Sequence, residues 1–160
     1  MTWDQFSIQI CDSITIQFEK LFPGGACMIS ENQKSAIVCV DDEPIILLSL
    51  VRELKREIGS EYSFETASNP SEAMEVIDYL CQTQIEVILI VSDWLMPGMN
   101  GDEFLREVHK KYPHIKSIMI SGHADLKEME KLKTEANTVA IFSKPWDADE
   151  LLSAVRNCCS

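Results

Sequence analysis

Residues 87–91 form an unbroken apolar run, VILIV, too short for a helix and rich in β-branched side chains. Such a run predicts a strand buried on both faces, as in a parallel sheet. Ser92 and Asp93 end it, and an acid in that place contributes nothing as packing. Pro97, Gly98, Asn100 and Gly101 then mark a tight, irregular loop. Open α/β sheets bind ligands just beyond the carboxyl ends of their strands. Asp93 therefore stands where such a site would form.

The same strand-then-helix pattern recurs five times from Ser35 onward. Ala36 to Val40 reads as an apolar strand. It is followed by Asp41-Asp42-Glu43 and by Pro44 at a first helical position. Leu47, Val51, Leu54 and Ile58 give that helix its apolar face, and Gly59 stops it. Tyr62 to Thr66 alternates as a half-exposed edge strand would. Asn69-Pro70 opens a helix with Met74, Ile77, Leu80 and Cys81 inward, and Val87 to Val91 is the central strand. Phe104, Leu105 and Val108 mark the next helix, which Pro113 finishes. Ser117 to Ile120 is a strand ending at Ser121-Gly122, and a helix runs through Leu126, Met129, Leu132 and Ala136. Val139 to Phe142 is the last strand and ends at Ser143-Lys144-Pro145. Asp147 and Glu150 make a capping box for a final helix carrying Leu151, Leu152 and Val155.

Strands alternating with helices imply parallel strands and right-handed crossovers. The expectation is an α/β domain over residues 35–160: a five-stranded, doubly wound, flavodoxin-like sheet of order 2-1-3-4-5. Its switch-point crevice would lie between Asp41/Asp42 and Asp93. Residues 1–34 read as an N-terminal helical extension and tether. Phe6, Ile10, Ile14, Phe18, Leu21 and Phe22 recur at near-helical spacing before Pro23-Gly24-Gly25. The simpler reading is a helix that caps its own domain; the sharper one is a docking or dimerisation helix, implying a homodimer.

A net charge of −12 argues against nucleic acid as a partner, because phosphate contacts need clustered Lys and Arg. No apolar run is long enough to span a bilayer, so no membrane partner is expected. Asp4 and Asp12 are unlike a secretory signal. The six cysteines show no metal-site spacing, and a reducing cytoplasm is the expected home.

Four strand ends deliver polar residues to one sheet edge: Asp41 and Asp42, Asp93, Ser121, and Lys144. Singly, each has a plain explanation, since an acid there is often a helix cap and Ser-Gly a turn. Jointly, turn chemistry does not explain them. Clustered carboxylates repel unless a proton or cation intervenes, and a hard cation such as Mg²⁺ suits oxygen ligands. Metal, ammonium, hydroxyl and carboxylate together suit phosphoryl transfer, with the carboxylate as nucleophile. On that reading Asp93 attacks phosphorus, and Asp42 and Asp93 bind Mg²⁺ with a loop carbonyl. Asp41 shares the metal or orients a water on it. Lys144 neutralises the transferred group, and Ser121 donates to it.

The motifs VDDEP (Val40 to Pro44), SDWLMPGMNG (Ser92 to Gly101), SG (Ser121-Gly122) and KPW (Lys144 to Trp146) stand in this order. With that order and spacing, the chain from about Ser35 to Cys159 resembles the receiver domain of two-component response regulators, a chemotaxis-regulator-like superfamily. The resemblance implies that Asp93 accepts a phosphoryl group from a phosphohistidine of a sensor histidine kinase or a histidine phosphotransfer protein. It implies a Leu95 carbonyl ligand to Mg²⁺ and a cis Lys144-Pro145 peptide. It also implies kinase docking near the helix that follows Asp42, and frequent use of the fourth helix for dimers or targets. That helix carries Lys127, Glu128, Glu130, Lys131 and Lys133.

One departure stands out. Receivers commonly carry Tyr or Phe three residues before the Lys, but here that position is Ile141 and the aromatic is Phe142. Leu95 and His123 would flank the phosphoryl group, and an apolar Leu95 predicts a long-lived acyl phosphate. Two alternatives compete with a working phosphoacceptor. A degenerate receiver used only for docking would lack Asp93, the acidic pair or Lys144, and all are present. An aspartyl-phosphate phosphatase would need an acid where Leu95 stands.

Overall fold

The computed structural model describes residues 35–122 and 126–159. The expected N-terminal helix, His123, and the side chains of Lys127, Glu128 and Glu130 lie outside the described residues. In chain order the elements are β1 Ser35–Val40, α1 Pro44–Ile58, β2 Ser63–Ala67, α2 Pro70–Gln82 and β3 Glu86–Asp93. They continue with α3 Gly101–Lys111, β4 Lys116–Ser121, α4 Leu126–Glu135, β5 Thr138–Ser143 and α5 Ala148–Cys159.

The strands form one five-stranded sheet of order β2-β1-β3-β4-β5. All four pairings are parallel. Each crossover carries a helix, which is what parallel neighbours require. Asp93, the last residue of β3, has Ile120 of β4 as its Cα partner, and Val40 of β1 pairs with Ser92. The acid-bearing strand ends are thus side by side. The β1–β3 register shifts between Ala36 and Ile37, opposite Val87 and Leu89.

Two apolar layers cover the sheet. One joins Val38, Val40 and Ile90 to Ile77 and Leu80 of α2, Phe104, Leu105 and Val108 of α3, and Leu132 of α4. The other joins Ile37, Cys39, Leu89 and Val91 to Leu47, Leu50 and Leu54 of α1 and Leu151, Leu152 and Val155 of α5. So α1 and α5 lie on one face and α2, α3 and α4 on the other. Central strands covered on both sides explain why β1, β3 and β4 read as continuous apolar runs.

The helix starts follow local chemistry. Pro44 is the first residue of α1, where its missing N–H leaves no bond unmade. Asn69 caps α2 by accepting from the Glu72 N–H at 2.9 Å. Asp147 caps α5 by accepting from the Glu150 N–H at 3.0 Å. The structure shifts several expected details. On α2, Ala73 is buried with Ile77 and Leu80, while Met74 and Cys81 are only partly covered. Edge strand β2 runs Ser63–Ala67 rather than Tyr62–Thr66, and the Tyr62 hydroxyl instead donates to the Cys159 carbonyl at 3.0 Å. On α1, Leu50 is buried with Leu47 and Leu54, while Val51 and Ile58 are only partly covered.

Candidate functional site

Asp41 lies one residue past the end of β1 and is buried. Its N–H donates to the Ala67 carbonyl of β2 at 3.2 Å. Its Oδ1 accepts from the Glu43 N–H at 2.9 Å, which shapes the turn into α1. Its Oδ2 is left for a cation, and the Lys144 Nζ donates to it at 2.9 Å. Asp42, next in the chain, is exposed.

Asp93 is buried at the end of β3. The following residue turns toward β4, where the Trp94 N–H donates to the Ile120 carbonyl at 2.9 Å. The loop then folds back, and the Gly101 N–H donates to the Trp94 carbonyl at 2.7 Å. Met96 is buried inside this loop, whereas Leu95 presents a side chain that is 69% exposed. Gly101 approaches the Asp93 carbonyl so closely that a Cβ there would lie 2.0 Å from the oxygen. The glycine that read as turn punctuation is therefore also a close-approach residue.

Lys144 follows β5, and its N–H donates to the Ser121 carbonyl at 2.8 Å. Its ammonium bridges two carboxylates, 2.9 Å from Asp41 Oδ2 and 2.8 Å from Asp93 Oδ1. The Lys144-Pro145 peptide is cis. Ser121 is buried at the end of β4, one residue beyond the Cα partner of Asp93. All the strand-end residues singled out from the sequence thus reach one edge of the sheet.

Burial pushes the Asp93 carboxyl above the ordinary carboxylate value, the Asp41 charge adds to this, and the pull of Lys144 does not fully offset them. Burial also works against the Lys144 charge, but the Asp93 and Asp41 carboxylates outweigh it and hold the ammonium above its usual range. The Lys144 ammonium pairs with two carboxylates, Asp41 and Asp93, and a third, Asp42, stands close to both. Asp41, Asp42 and Asp93 each offer an oxygen, and these lie within 4.8 Å of one another. An all-oxygen donor set with unbalanced negative charge fits a hard divalent cation, and among the described residues no soft ligand joins the set to favour another metal.

The family model for the response regulator receiver domain matches residues 37–156. The chain belongs to the response regulator receiver family. Receivers of this family are signalling phosphoacceptors. Curated relatives of this receiver include the hydrogenase transcriptional regulatory protein HoxA of Cupriavidus necator, 33% identical over 78% of this chain. Another is sporulation initiation phosphotransferase F of Bacillus subtilis, 28% identical over 75% of this chain and 90% of that protein. The receiver spans 24% of the length of HoxA, 12% of that of the sensor kinase CckA of Brucella abortus and 51% of that of DegU of Brevibacillus brevis. Among solved structures, the signal receiver domain of an HD domain-containing protein from Pseudomonas fluorescens superposes with a TM-score of 0.67 at 31% identity. That match covers 79% of this chain and 95% of that one. A response regulator receiver domain protein from Clostridium thermocellum gives 0.68 at 27% identity, over 78% and 93% of the two chains.

Two expectations meet their counterparts on β5. Ile141 packs against the α2–α4 layer and Phe142 against the α1/α5 layer, so the aromatic is on the opposite face from Ile141. Among the described residues, no helix is long and apolar enough to cross a membrane.

Proposed function

We propose that this receiver takes a phosphoryl group onto Asp93 from a phosphohistidine of a sensor kinase or phosphotransfer protein, and relays the signal by a change of conformation. The observation that carries this reading is the Lys144 ammonium held between Asp41 and Asp93 at 2.9 and 2.8 Å. A carboxylate so placed is buried, oriented, and paired with the charge that a phosphoryl group needs.

In the transfer, an Asp93 carboxylate oxygen forms a bond to phosphorus as the nitrogen–phosphorus bond of the donor breaks. The imidazole leaves with the electron pair and takes a proton from solvent. As phosphate arrives, Lys144 exchanges a carboxylate partner for a phosphoryl oxygen, and the Ser121 hydroxyl turns toward another. Asp42, Asp93 and the Leu95 carbonyl would hold Mg²⁺, with Asp41 sharing it or orienting a water. Bound there, the ion supplies positive charge against the phosphoryl oxygens. The new group adds charge and strong acceptors at the ends of β3, β4 and β5, which biases a two-state element there.

The domain boundary at residue 35 belongs to the same proposal, with residues 1–34 as a helix that caps its own domain and a docking or dimerisation helix as the second reading. So does a cytoplasmic home, which the free thiols of Cys39, Cys81, Cys158 and Cys159 support.

The test is incubation with Mg²⁺ and phosphoramidate, followed by intact-mass measurement of wild type and Asp93→Asn. Wild type should gain one phosphoryl group and the variant none. An unmodified wild type would defeat the reading.

A further inference from the structure

Lys144 is a point charge on a flexible stem, so its usefulness depends on what fixes its backbone. On one side the loop is tied to the sheet through the Ser121 carbonyl. On the other, two residues beyond Lys144, the Trp146 ring packs against the layer shared by α1 and α5. Its indole N–H donates to Glu53 Oε2 on α1 at 3.1 Å. Glu53 and Trp146 are both half-buried. α1 is the helix that Asp41 and Asp42 lead into, and Asp41 accepts from the N–H of Glu43, just before its first residue. The helix is therefore joined to the Lys144 loop at two places, by Asp41 at its start and by Glu53 further along.

We propose that Glu53 and Trp146 are positioning residues for Lys144: their hydrogen bond fixes the loop against α1 and so fixes the ammonium between Asp41 and Asp93. The inference rests on the phosphoacceptor reading of the site. Neither residue touches the transferred group, and both act through Lys144. A displacement of about 1 Å in a catalytic group lowers rates by up to about 10²-fold, and a loosened loop that still samples the right place loses less.

Trp146→Phe keeps a ring in the pocket and removes the donor; Glu53→Ala removes the acceptor; Glu53→Gln keeps an acceptor oxygen. The initial rate of Asp93 phosphorylation by phosphoramidate is read by mass spectrometry at saturating Mg²⁺. Mg²⁺ affinity is read separately from the fluorescence of Trp94, which adjoins Asp93. Trp146→Phe and Glu53→Ala should each lower the rate about tenfold. The double variant should lose no more than either single one, because both break the same bond, and Mg²⁺ affinity should stay within about twofold. Glu53→Gln should keep most of the rate. Arg156→Ala serves as the control: it breaks the Arg156–Glu57 ion pair, 3.3 Å long, which links α5 to α1 at a place other than the Glu53–Trp146 bond. It should leave the rate unchanged. An unchanged rate in both single variants, additive losses in the double, or an equal loss in Arg156→Ala would each overturn the proposal. A wild type that takes no phosphoryl group is a different result, which removes the reading of the site and this inference with it.

Discussion

Replacing Gly101 by alanine tests how Asp93 is held. An ideal Cβ at Gly101 would lie 2.0 Å from the Asp93 carbonyl oxygen, 3.0 Å from its carbon and 3.1 Å from the Trp94 Cα. A relaxed carbon–oxygen contact is about 3.3 Å, so the gap must open by about 1.3 Å. Neither side yields easily. Asp93 ends a central strand, and the next N–H is bonded to Ile120 of β4. Gly101 is the first residue of α3, whose Phe104 and Leu105 are buried. Helix propensity alone predicts the opposite sign, a gain of up to about 1 kcal/mol for Ala over Gly. Overpacking against rigid backbone opposes it at the upper end of about 1–3 kcal/mol, so the variant should lose about 2 kcal/mol. The opening also moves Asp93, and on the proposed function this should lower its phosphorylation by about 10-fold to 10²-fold. Gly98→Ala separates the two effects. Gly98 has φ +89° and nothing within 4 Å of its Cβ position. That substitution should cost about 1–2 kcal/mol through backbone strain alone and leave the phosphorylation rate near wild type. Urea unfolding followed by circular dichroism gives the stabilities, and intact-mass kinetics with phosphoramidate give the rates. A Gly101→Ala protein as stable as wild type, with an unchanged rate, would refute the close-approach argument.

Two further outcomes are expected. Asp78 of α2 accepts from Lys111 at 2.7 and 2.8 Å and from the Tyr112 hydroxyl at 2.7 Å. Burial works to raise its carboxyl, but these two partners outweigh burial and hold it below the ordinary value. A depressed carboxyl stabilises the fold above its unfolded value, and that stability is lost as pH falls through the folded one. Asp78→Asn should therefore cost about 1 kcal/mol at pH 7 after solvent screening. The difference from wild type should close as pH falls through and below the ordinary carboxylate range; a difference independent of pH would sink the assignment. The aspartyl phosphate should be long-lived, because the exposed apolar side chain of Leu95 beside Asp93 gives an attacking water no partner. Disappearance of the label from purified protein within seconds would contradict this.

The strands were legible because apolar, β-branched runs between sheet layers have little freedom to be anything else. Asp93 and Lys144 were legible because charges at the ends of such runs have no packing explanation. What stayed hidden depends on which helices the crossovers bring together. Arg106 of α3 reaches both Asp102, one turn back, at 2.6 Å and Glu135 of α4 at 2.8 Å. Only the first of these pairs follows from helical spacing. Glu53 and Trp146 stand 93 residues apart in the chain. Met96 falls in the tight, irregular loop after Asp93, yet it is buried, and the loop closes back on the Trp94 carbonyl. On α1 both the Leu47/Leu54 row and the Val51/Ile58 row are apolar, so period alone did not tell that Leu50 flanks the deeper one.

The register of β5 constrains how that strand can respond to a phosphoryl group on Asp93. Met119 pairs with Ile141, Ile120 with Phe142 and Ser121 with Ser143. Side chains alternate faces along a strand, so Phe142 could reach the α2–α4 layer only if β5 slipped by one residue. A slip would turn every side chain of β5 over and would displace Lys144, whose ammonium lies within 3 Å of both Asp41 and Asp93. The contacts of Lys144 with Asp41 and Asp93 thus oppose the movement that would make Phe142 a swinging ring. Ile141, on the correct face, has no ring to swing. Phosphorylation should accordingly leave the surroundings of Phe142 as they are. With fluorophenylalanine incorporated throughout and the Phe142 resonance identified by its loss in Phe142→Leu, the fluorine shift should be the same before and after phosphorylation of Asp93. A large shift of that resonance, absent in Asp93→Asn, would show that the aromatic does take part and that β5 is freer than its register implies.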